Sequence, residues 1–251
     1  MDLGLEGKCA VVTGGSRGIG LAVVRELRRE GVEVVAASRK GSNDLAILKV
    51  PSVEVDLTLP ESSAELGDRV RQHLGEVDFW VNCVGGIEGA SLQDDLVHII
   101  ERWKATFDVN VVSALRVADE LLPDLIARRG AIVHIAGLSA RRAGLSPLDY
   151  GAAKKALIAV SQHLAIQYGP YGVRSNTISP GPTATHLWES VAAENAVSLD
   201  ALYAALPATV GMTTGRMIDP KEIAALAVFL LSSRAASITG ADHIVSAGLS
   251  A

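Results

Sequence analysis

The chain has 251 residues and a formal net charge of −5, and 49% of its residues are hydrophobic. This length suits one α/β domain, and the composition supplies a large apolar core and excludes an intrinsically disordered chain. The acidic balance argues against a nucleic-acid partner, so a DNA-binding regulator is a poor hypothesis for this chain.

Short apolar runs alternate along the chain with stretches whose apolar residues recur at helical spacing. Strands are predicted at Lys8–Thr13, Val32–Ala37, Ser52–Asp56, Val77–Val84, Ala131–Ala136, Val173–Ile178 and His243–Ser246. Helices are predicted at Gly18–Glu30, Leu66–Leu74, Gln93–Thr106, Val109–Arg128, Leu148–Tyr168 and Pro220–Ser232. This alternation predicts an α/β fold with a single doubly wound parallel sheet and helices on both faces.

The stretch from residue 186 to residue 217 interrupts the alternation, because it is irregular in pattern and rich in small apolar residues. It exceeds the usual length of a connection, which favours a functional loop. We expect residues 1–251 to form one domain in which residues 186–217 are a substrate-binding lid. Its larger apolar side chains either line a pocket or pack the lid itself; they are Leu187, Trp188, Leu202, Tyr203, Leu206, Met212 and Met217.

Cysteine usage and hydropathy bear on the compartment. Cys9 and Cys83 form no CxxC motif, and two distant thiols do not make a disulfide framework. The segment Met1–Gly7 lacks the apolar core of a signal peptide. The longest apolar run, Ile223–Leu231, has nine residues, whereas a membrane span needs about 20. We therefore expect a cytoplasmic protein without membrane association.

A glycine-rich turn joins the first predicted strand to the first predicted helix. It reads TGGSRGIG over Thr13–Gly20, with the spacing G-x-x-x-G-x-G. Glycines let a phosphate approach the backbone, and a helix N-terminus offers free N–H groups and a favourable dipole. The alternative is an ordinary tight turn. The sequence predicts a cradle for a dinucleotide pyrophosphate, formed by Gly14, Ser16, Arg17, Gly18, Ile19 and Gly20.

The second predicted strand is followed by Ser38-Arg39-Lys40. An acidic residue at this point would bind the ribose 2′-hydroxyl of NAD, and none is present. Arg39 can pair with a 2′-phosphate, and Arg17 can approach it from the glycine turn, since guanidinium groups suit phosphate oxygens. The alternative is that both arginines are solvated surface residues. We expect NADP(H) to be preferred over NAD(H).

Tyr150 and Lys154 lie near the start of the predicted helix Leu148–Tyr168, and their spacing places them on one helix face. A phenol is a poor acid–base catalyst at pH 7, and a neighbouring lysine cation favours the phenolate and lowers the phenol pKa. Alone, this pair is more often a chance spacing. Together with the glycine turn, it predicts a catalytic pair.

These features resemble the short-chain dehydrogenase/reductase family, classical type, over nearly the whole chain. The motifs that carry the resemblance are TGGSRGIG at Thr13–Gly20, NCVG at Asn82–Gly85, Asn110 within a helix, YGAAK at Tyr150–Lys154 and SPGPTAT at Ser179–Thr185. The resemblance implies a Rossmann-type fold and an NAD(P)(H)-dependent oxidoreductase acting on an alcohol or a carbonyl. It also implies a homo-oligomer, which we expect to be a tetramer or a dimer.

The resemblance further implies roles for individual residues. Tyr150 would be the general acid and base, Lys154 would lower its pKa and hold the nicotinamide ribose, and Asn110 would anchor a proton-relay water. Asp56 would contact the adenine. Other implied cofactor contacts are Ser38, Asn82, Gly85, Pro180, Gly181, Thr183 and Thr185.

The chain departs from the family at one catalytic position. A serine that hydrogen-bonds the substrate oxygen usually lies thirteen residues before the tyrosine, where this chain has Gly137. Ser139 is the candidate replacement, and the alternative is a loop serine without a role. Losing such a donor costs about 10²–10³ in rate.

The leading hypothesis is therefore an NADP(H)-dependent carbonyl reductase or alcohol dehydrogenase, with a 3-oxoacyl thioester or a hydrophobic ketone among the open substrates. The alternative is an NADP(H)-binding sensor or scaffold with little turnover.

The remaining polar residues favour no additional site. The six histidines form no HxxH or HxxxH pattern, so no metal site is predicted. Arg129 resembles a carrier-docking position of ketoacyl reductases, but Tyr171 stands where a second basic residue would be expected. Arg141 and Arg142 are either contacts for an anionic substrate or ordinary surface residues.

Overall fold

The computed structural model describes residues 2–87 and 94–249, and within them seven parallel strands form one sheet. The strands are β1 Cys9–Thr13, β2 Glu33–Ser38, β3 Ser52–Glu54, β4 Phe79–Asn82, β5 Ala131–Ile135, β6 Arg174–Pro180 and β7 Asp242–Val245. Their order is β3-β2-β1-β4-β5-β6-β7. This is the predicted doubly wound sheet, and the strand order reverses beside β1, where such sheets bind ligands.

Helices cover both faces of the sheet. They are α1 Gly18–Arg29, α2 Asn43–Ile47, α3 Ser62–Leu74, α4 Leu96–Phe107, α5 Ser113–Arg128, α6 Leu148–Tyr168, α7 Leu187–Glu194, α8 Leu199–Val210 and α9 Pro220–Leu231. The predicted helix that starts at Gln93 begins at Leu96 instead, with Asp95 accepting a hydrogen bond from the His98 N–H. Gln93 itself lies outside the described residues. None of the helices in the described ranges is long and apolar enough to span a membrane.

Alternate residues of each strand face opposite helical layers, as the pleat of a strand requires. On β1, Val12 packs into the cluster that contains α1 and α9, whereas Val11 packs into the cluster that contains α3 and α5. Trp80 of β4 is fully buried in the second cluster. With both faces covered, the carboxyl ends of the strands and the loops that follow them are left to form a site.

The predicted break between Thr106 and Val109 is wrong. The chain passes from α4 into α5 through a π-helical turn at Asp108–Val112. A π turn contains an extra residue and changes the direction of the side chains around it. Asn110 lies in this turn and is fully buried.

The prediction that residues 186–217 are irregular is also wrong, because this segment forms α7 and α8. Ser198 caps α8 by accepting a hydrogen bond from the Ala201 N–H. Met212 and Met217, which follow α8, are buried in the same cluster as α9. The two helices have apolar residues around much of their circumference, so they lack the periodic contrast from which a helix is predicted.

Candidate active site

The glycine turn after β1 is built so that side chains are excluded from it. Gly14 has φ +76°, and a Cβ on it would lie 2.7 Å from the backbone carbonyl carbon of Cys83. A Cβ on Gly20 would overlap the carbonyl oxygen of Gly14. Gly18, with φ +56°, is the first residue of α1. Only glycine satisfies these positions, and the N–H groups at the start of α1 stay accessible to an anion.

The other residues of the turn have different surroundings. Arg17 is exposed, Ser16 is half-buried, and Ile19 packs against the core. Arg17 is therefore the member of the turn that presents a cation at the surface.

Lys154 is buried at the carboxyl end of β5, where its Nζ donates a hydrogen bond of 3.2 Å to the Ile135 carbonyl oxygen. A Cβ on Gly85 would overlap this Nζ and lie 2.7 Å from Asn110 Oδ1. Lys154, Asn110 and the loop after β4 are thus in direct contact. The structure brings together three residues that are far apart in the sequence.

Asn110 binds the loop after β4 through both ends of its amide. Its Nδ2 donates to the Gly86 and Thr106 carbonyl oxygens, each at 2.8 Å. Its Oδ1 accepts from the Gly86 N–H at 3.2 Å. The π turn directs the side chain to this position, so Asn110 fixes the loop that faces Lys154.

Tyr150 is half-buried, and its hydroxyl has no hydrogen-bond partner among the described residues. Lys154 Nζ lies 5.6 Å from the centroid of its ring. Burial raises the pKa of Tyr150 to about 12 and lowers the pKa of Lys154 to about 8. The expected lowering of the phenol pKa is therefore wrong for this structure. Desolvation disfavours both charged forms, and Lys154 Nζ donates to Ile135 instead of the phenol.

Ser139 lies next to the position where the expected serine is missing. Gly137 has extended backbone angles, φ 162° and ψ 150°, at the end of β5. A Cβ on Gly137 would lie 3.4 Å from Ser139 Oγ. Ser139 belongs to a short 3₁₀ turn, Leu138–Ala140, and its carbonyl oxygen lies 3.1 Å from the Cβ position of Gly151 in α6. Its hydroxyl is therefore close to position 137, and its backbone is close to the first turn of α6.

A buried polar chain supports the strand ends behind the glycine turn. Trp80 Nε1 donates to Thr13 Oγ1, and Thr13 Oγ1 donates to Asn82 Oδ1, both at 3.1 Å. Asn82 Nδ2 lies 3.3 Å from His134 Nδ1. Asn82 was predicted as a cofactor contact, and it is fully buried and occupied by these bonds. The network makes it a support for the loop after β4.

His134 is a residue of this network that sequence reasoning missed. Because Asn82 Oδ1 already accepts from Thr13 and from the Val84 N–H, its Nδ2 is the donor to His134 Nδ1. The hydrogen of the neutral ring is then on Nε2, which is buried and has no partner among the described residues. Burial, and secondly the charge of Lys154, lower the pKa of His134 to about 3.

The carboxyl ends of β2 and β3 carry the predicted 2′-phosphate and adenine residues. Ser38 Oγ donates to the Lys40 carbonyl oxygen at 2.8 Å. Hydrogen bonds from the Thr58 N–H and hydroxyl lower the pKa of Asp56, and the charge of the exposed Arg39 contributes in the same direction. Arg39 and Asp56 therefore belong to one electrostatic environment at this edge of the sheet.

The segment after β6 lies over the N-terminus of α1. The Gly181 N–H donates to the Val245 carbonyl oxygen at 2.8 Å, just after Pro180 ends β6, and Thr183 Oγ1 donates to the Gly181 carbonyl oxygen at 2.9 Å. Thr185 Cγ2 lies 3.5 Å from the Cβ position of Gly18. The predicted nicotinamide segment and the predicted pyrophosphate cradle are thus neighbours.

The segment is held in turn by the side chains of the helices that follow it. Trp188 Nε1 donates to the Thr183 carbonyl oxygen at 2.8 Å. The Tyr203 hydroxyl donates to the Thr185 carbonyl oxygen at 3.0 Å. These two aromatic residues therefore fix α7 and α8 to the site.

A buried carboxylate beside the catalytic pair was also missed. Asp149 is fully buried, and Arg102 donates to it twice, from Nε at 2.9 Å and from Nη2 at 3.1 Å. Thr106 Oγ1 donates to the same carboxylate at 2.7 Å. Its partners come from α4, more than 40 positions away, so no local pattern in the sequence indicates the cluster.

The remaining arginines have other partners. Arg141 forms an ion pair with Asp242, and Arg142 Nη1 donates to the Leu249 carbonyl oxygen at 2.8 Å. Both therefore have structural roles next to the site. Arg129 lies at the opposite end of the strands, where it lines a cavity of about 460 Å³ together with Lys8. It is thus remote from Tyr150.

Comparisons with known proteins agree with this geometry. Residues 14–250 match a family model described as enoyl-(acyl carrier protein) reductase. The chain is 34% identical to L-fucose dehydrogenase of Mus musculus, covering 96% of this chain and 88% of that protein. It is 30% identical to 3-oxoacyl-(acyl-carrier-protein) reductase FabG of Vibrio cholerae, covering 98% of this chain and 99% of that protein.

A solved structure extends the similarity to three dimensions. L-Sorbose reductase from Gluconobacter frateurii, complexed with NADPH and L-sorbose, superposes with a TM-score of 0.89 at 30% identity. The superposition covers 100% of this chain and 99% of that one. The similarity therefore includes every strand of the sheet and the loops at its carboxyl edge.

Proposed function

Because the chain belongs to the short-chain dehydrogenase/reductase family, we propose that it is an NADP(H)-dependent oxidoreductase that interconverts a carbonyl and an alcohol. The observation that carries the proposal is the Tyr150–Lys154 pair. The phenol hydroxyl has no partner among the described residues, and a buried lysine lies beside it. A substrate oxygen is the partner that this hydroxyl lacks.

The residues at the carboxyl edge fit a dinucleotide. Glycines keep side chains away from the start of α1, where backbone N–H groups suit a pyrophosphate. Lys154 would hold the nicotinamide ribose, Asn110 would anchor a proton-relay water, and Asp56 would contact the adenine. When bound, the nicotinamide supplies or accepts the hydride. The other residues proposed to contact the cofactor are Gly14, Ser16, Arg17, Gly18, Ile19, Gly20, Ser38, Arg39, Gly85, Tyr150, Pro180, Gly181, Thr183 and Thr185. Asn82 is buried behind them and would support the loop after β4.

Tyr150 moves the proton in this proposal. Its pKa of about 12 keeps the phenol protonated at neutral pH, so it can donate to a carbonyl oxygen that is being reduced. The ammonium of Lys154 then stabilises the phenolate that is left. Ser139 donates a hydrogen bond to the same substrate oxygen and replaces the donor missing at Gly137.

The preference for NADP(H) rests on Arg39, which follows a strand end without an acidic residue. A charge-assisted pair with a 2′-phosphate contributes roughly 1.5–3 kcal/mol. Arg39→Ala should therefore weaken NADPH binding by about tenfold or more and leave NADH binding nearly unchanged. Equal affinities of the unmutated protein for NADPH and NADH would contradict the preference.

The substrate is proposed only as a class. L-Fucose dehydrogenase and L-sorbose reductase favour a hydroxylated carbonyl or the corresponding polyol, and the 3-oxoacyl reductase favours a β-keto thioester. A hydrophobic ketone is the third candidate, because residues 186–217, which we propose to be the substrate-binding lid, are rich in apolar residues. All three classes present one carbonyl oxygen to Tyr150 and Ser139.

The test is a screen of NADPH and NADH consumption with sugars, aliphatic and aromatic ketones and β-keto thioesters. Tyr150→Phe should abolish turnover of any active substrate and retain cofactor binding. Tyr168→Phe, on the same helix, is the matched control and should behave as the parent. Tight NADPH binding without turnover across the panel would instead favour the sensor or scaffold function that Gly137 suggests.

A further inference from the structure

We propose that His186 is a further cofactor-binding residue of the glycine cradle, whose imidazole takes up a proton when a dinucleotide pyrophosphate binds. Cofactor affinity would then rise as the pH falls. This inference rests on the proposed function, since it requires a dinucleotide in the cradle.

The position of the ring is the first argument. His186 follows Thr185 and precedes α7. Its Nδ1 lies 3.5 Å and its Cε1 3.6 Å from the Cβ position of Gly18, the first residue of α1. Because Gly18 has no side chain, nothing of that residue stands between the imidazole and the start of the helix. The Nδ1 edge of the ring therefore adjoins the N–H groups to which a pyrophosphate binds.

The second argument is that His186 Nδ1 is buried and has no hydrogen-bond partner among the described residues. A buried polar nitrogen without a partner is unfavourable, and in native proteins it usually indicates a missing water, ion or ligand. A phosphate oxygen is an acceptor for an N–H at this position. The same ligand that the glycine turn accommodates would thus satisfy the imidazole.

The charges around the ring give the direction of the proton linkage. Burial lowers the pKa of His186, the nearby Arg17 lowers it further, and Glu189 of α7 raises it. The ring is therefore neutral at pH 7 before the cofactor binds. A pyrophosphate brings negative charge and a hydrogen-bond acceptor to the ring, and both raise the imidazole pKa.

The sign of the pH dependence follows from these two states. Since the pKa is higher in the bound state, binding takes up protons between the free and bound pKa values. The dissociation constant then decreases as the pH falls through the bound pKa and levels off below the free pKa. One unit of difference between the two pKa values corresponds to about a tenfold change in affinity.

The experiment is a titration of the full-length protein with NAD⁺ and NADP⁺ by calorimetry, from about pH 8 to about pH 5.5. NAD⁺ is the decisive ligand, because it lacks the 2′-phosphate, whose own pKa of about 6 falls in the same range. We expect the NAD⁺ dissociation constant to decrease by about three- to tenfold over this range. Buffers with different ionisation enthalpies should reveal proton uptake near pH 6.

Two variants assign the effect to one ring. His186→Gln should bind NAD⁺ with an affinity that does not depend on pH. His163→Gln, which replaces an exposed histidine of α6, should keep the dependence of the parent. The inference is overturned if the parent binds NAD⁺ with the same affinity at all pH values and takes up no protons, or if His186→Gln retains the pH dependence. If neither NAD⁺ nor NADP⁺ binds at any pH, the proposed function is rejected, and this inference with it.

Discussion

Gly137 and Ser139 are the residues on which the proposed hydrogen bond to the substrate oxygen depends. The sequence identified both residues, but only the 3.4 Å separation between the Gly137 Cβ position and Ser139 Oγ shows that they occupy neighbouring space. The extended backbone of Gly137 also means that a side chain there carries no conformational strain.

We predict that Ser139→Ala lowers kcat by about 10²-fold and leaves the cofactor dissociation constant unchanged, because it removes a donor to the reacting oxygen. The double variant Gly137→Ser with Ser139→Ala should recover most of the lost activity. Ser146→Ala, in the same loop, is the control, since Ser146 Oγ donates to the Pro147 carbonyl oxygen. A kcat for Ser139→Ala within about twofold of the parent would exclude Ser139 from catalysis.

Burial of the neutral His134 ring should make the protein less stable in acid. The ring has a pKa of about 3 in the folded protein and 6.5 as an ordinary value, so the unfolded chain binds the extra proton between these values. Stability is therefore lost as the pH falls from 6.5 towards 3, by up to about 1.4 kcal/mol per pH unit. His134→Asn should show a shallower loss in urea unfolding between about pH 7 and about pH 4. The exposed His163→Asn should match the parent, and an unchanged slope in His134→Asn would show that other groups cause the loss.

At the scale of elements, the buried carboxylate of Asp149 joins α6 to α4. Arg102 and Thr106 contribute from α4, and the Thr106 carbonyl oxygen also accepts from Asn110 in the π turn. The first turn of α6, which carries Tyr150, is thereby linked to the turn that positions Asn110. The packing of α4 against α6 therefore sets the distance between Tyr150 and Asn110.

Asp149→Asn should destabilise the protein by about 1.5–3 kcal/mol, because it removes the buried carboxylate to which Arg102 donates twice and leaves the half-buried guanidinium paired with Asp94. We also expect a lower kcat, since the first turn of α6 loses its attachment to α4. Urea unfolding and steady-state kinetics measure the two effects. Lys104→Gln is the control on α4, because it breaks an exposed pair with Asp108 and should cost less than about 1 kcal/mol. A loss of less than about 1 kcal/mol for Asp149→Asn as well would show that the Arg102–Asp149 pair is not essential to stability.

The elements also show which parts of the fold the sequence can predict. The strands of a parallel sheet are buried on both faces, so each appears as an apolar run, and their ends shift by at most two residues from the prediction. α7 and α8 carry apolar residues on their exposed as well as their packed sides, as the 62% exposed Leu187 shows, and this removes the periodic signal. Ser198 at the start of α8 is the feature that indicates a helix. The Asp149 and His134 contacts join distant segments, so they depend on the tertiary fold.

For the whole molecule, one exposed apolar face supports the expected homo-oligomer. Leu96, Val97 and Ile100 of α4 are 68%, 61% and 70% exposed in the single chain. They lie within one and a half turns of the same helix, and exposed apolar clusters of this kind mark interfaces. α4 is therefore a candidate interface element.

We predict a dimer or tetramer by light scattering at micromolar concentration. Ile100→Asp should shift the protein towards smaller species, because it places a charge in the proposed interface. Ile47→Asp, at an exposed but isolated position on α2, should leave the assembly unchanged. A monomeric parent protein would contradict the prediction.

The packing of α1 on α9 has a consequence for the synthesis of the chain. Val23, Val24 and Leu27 of α1 share a core cluster with Val228 and Leu231 of α9, which the ribosome makes about 200 residues later. The Asp2 carbonyl oxygen even accepts a hydrogen bond from Arg234 across 232 positions. α1 therefore leaves the ribosome long before α9, and its apolar side stays uncovered until α9 follows. Nascent chains would present this surface to chaperones or to one another, so the rate of elongation through α9 should influence the yield of folded protein.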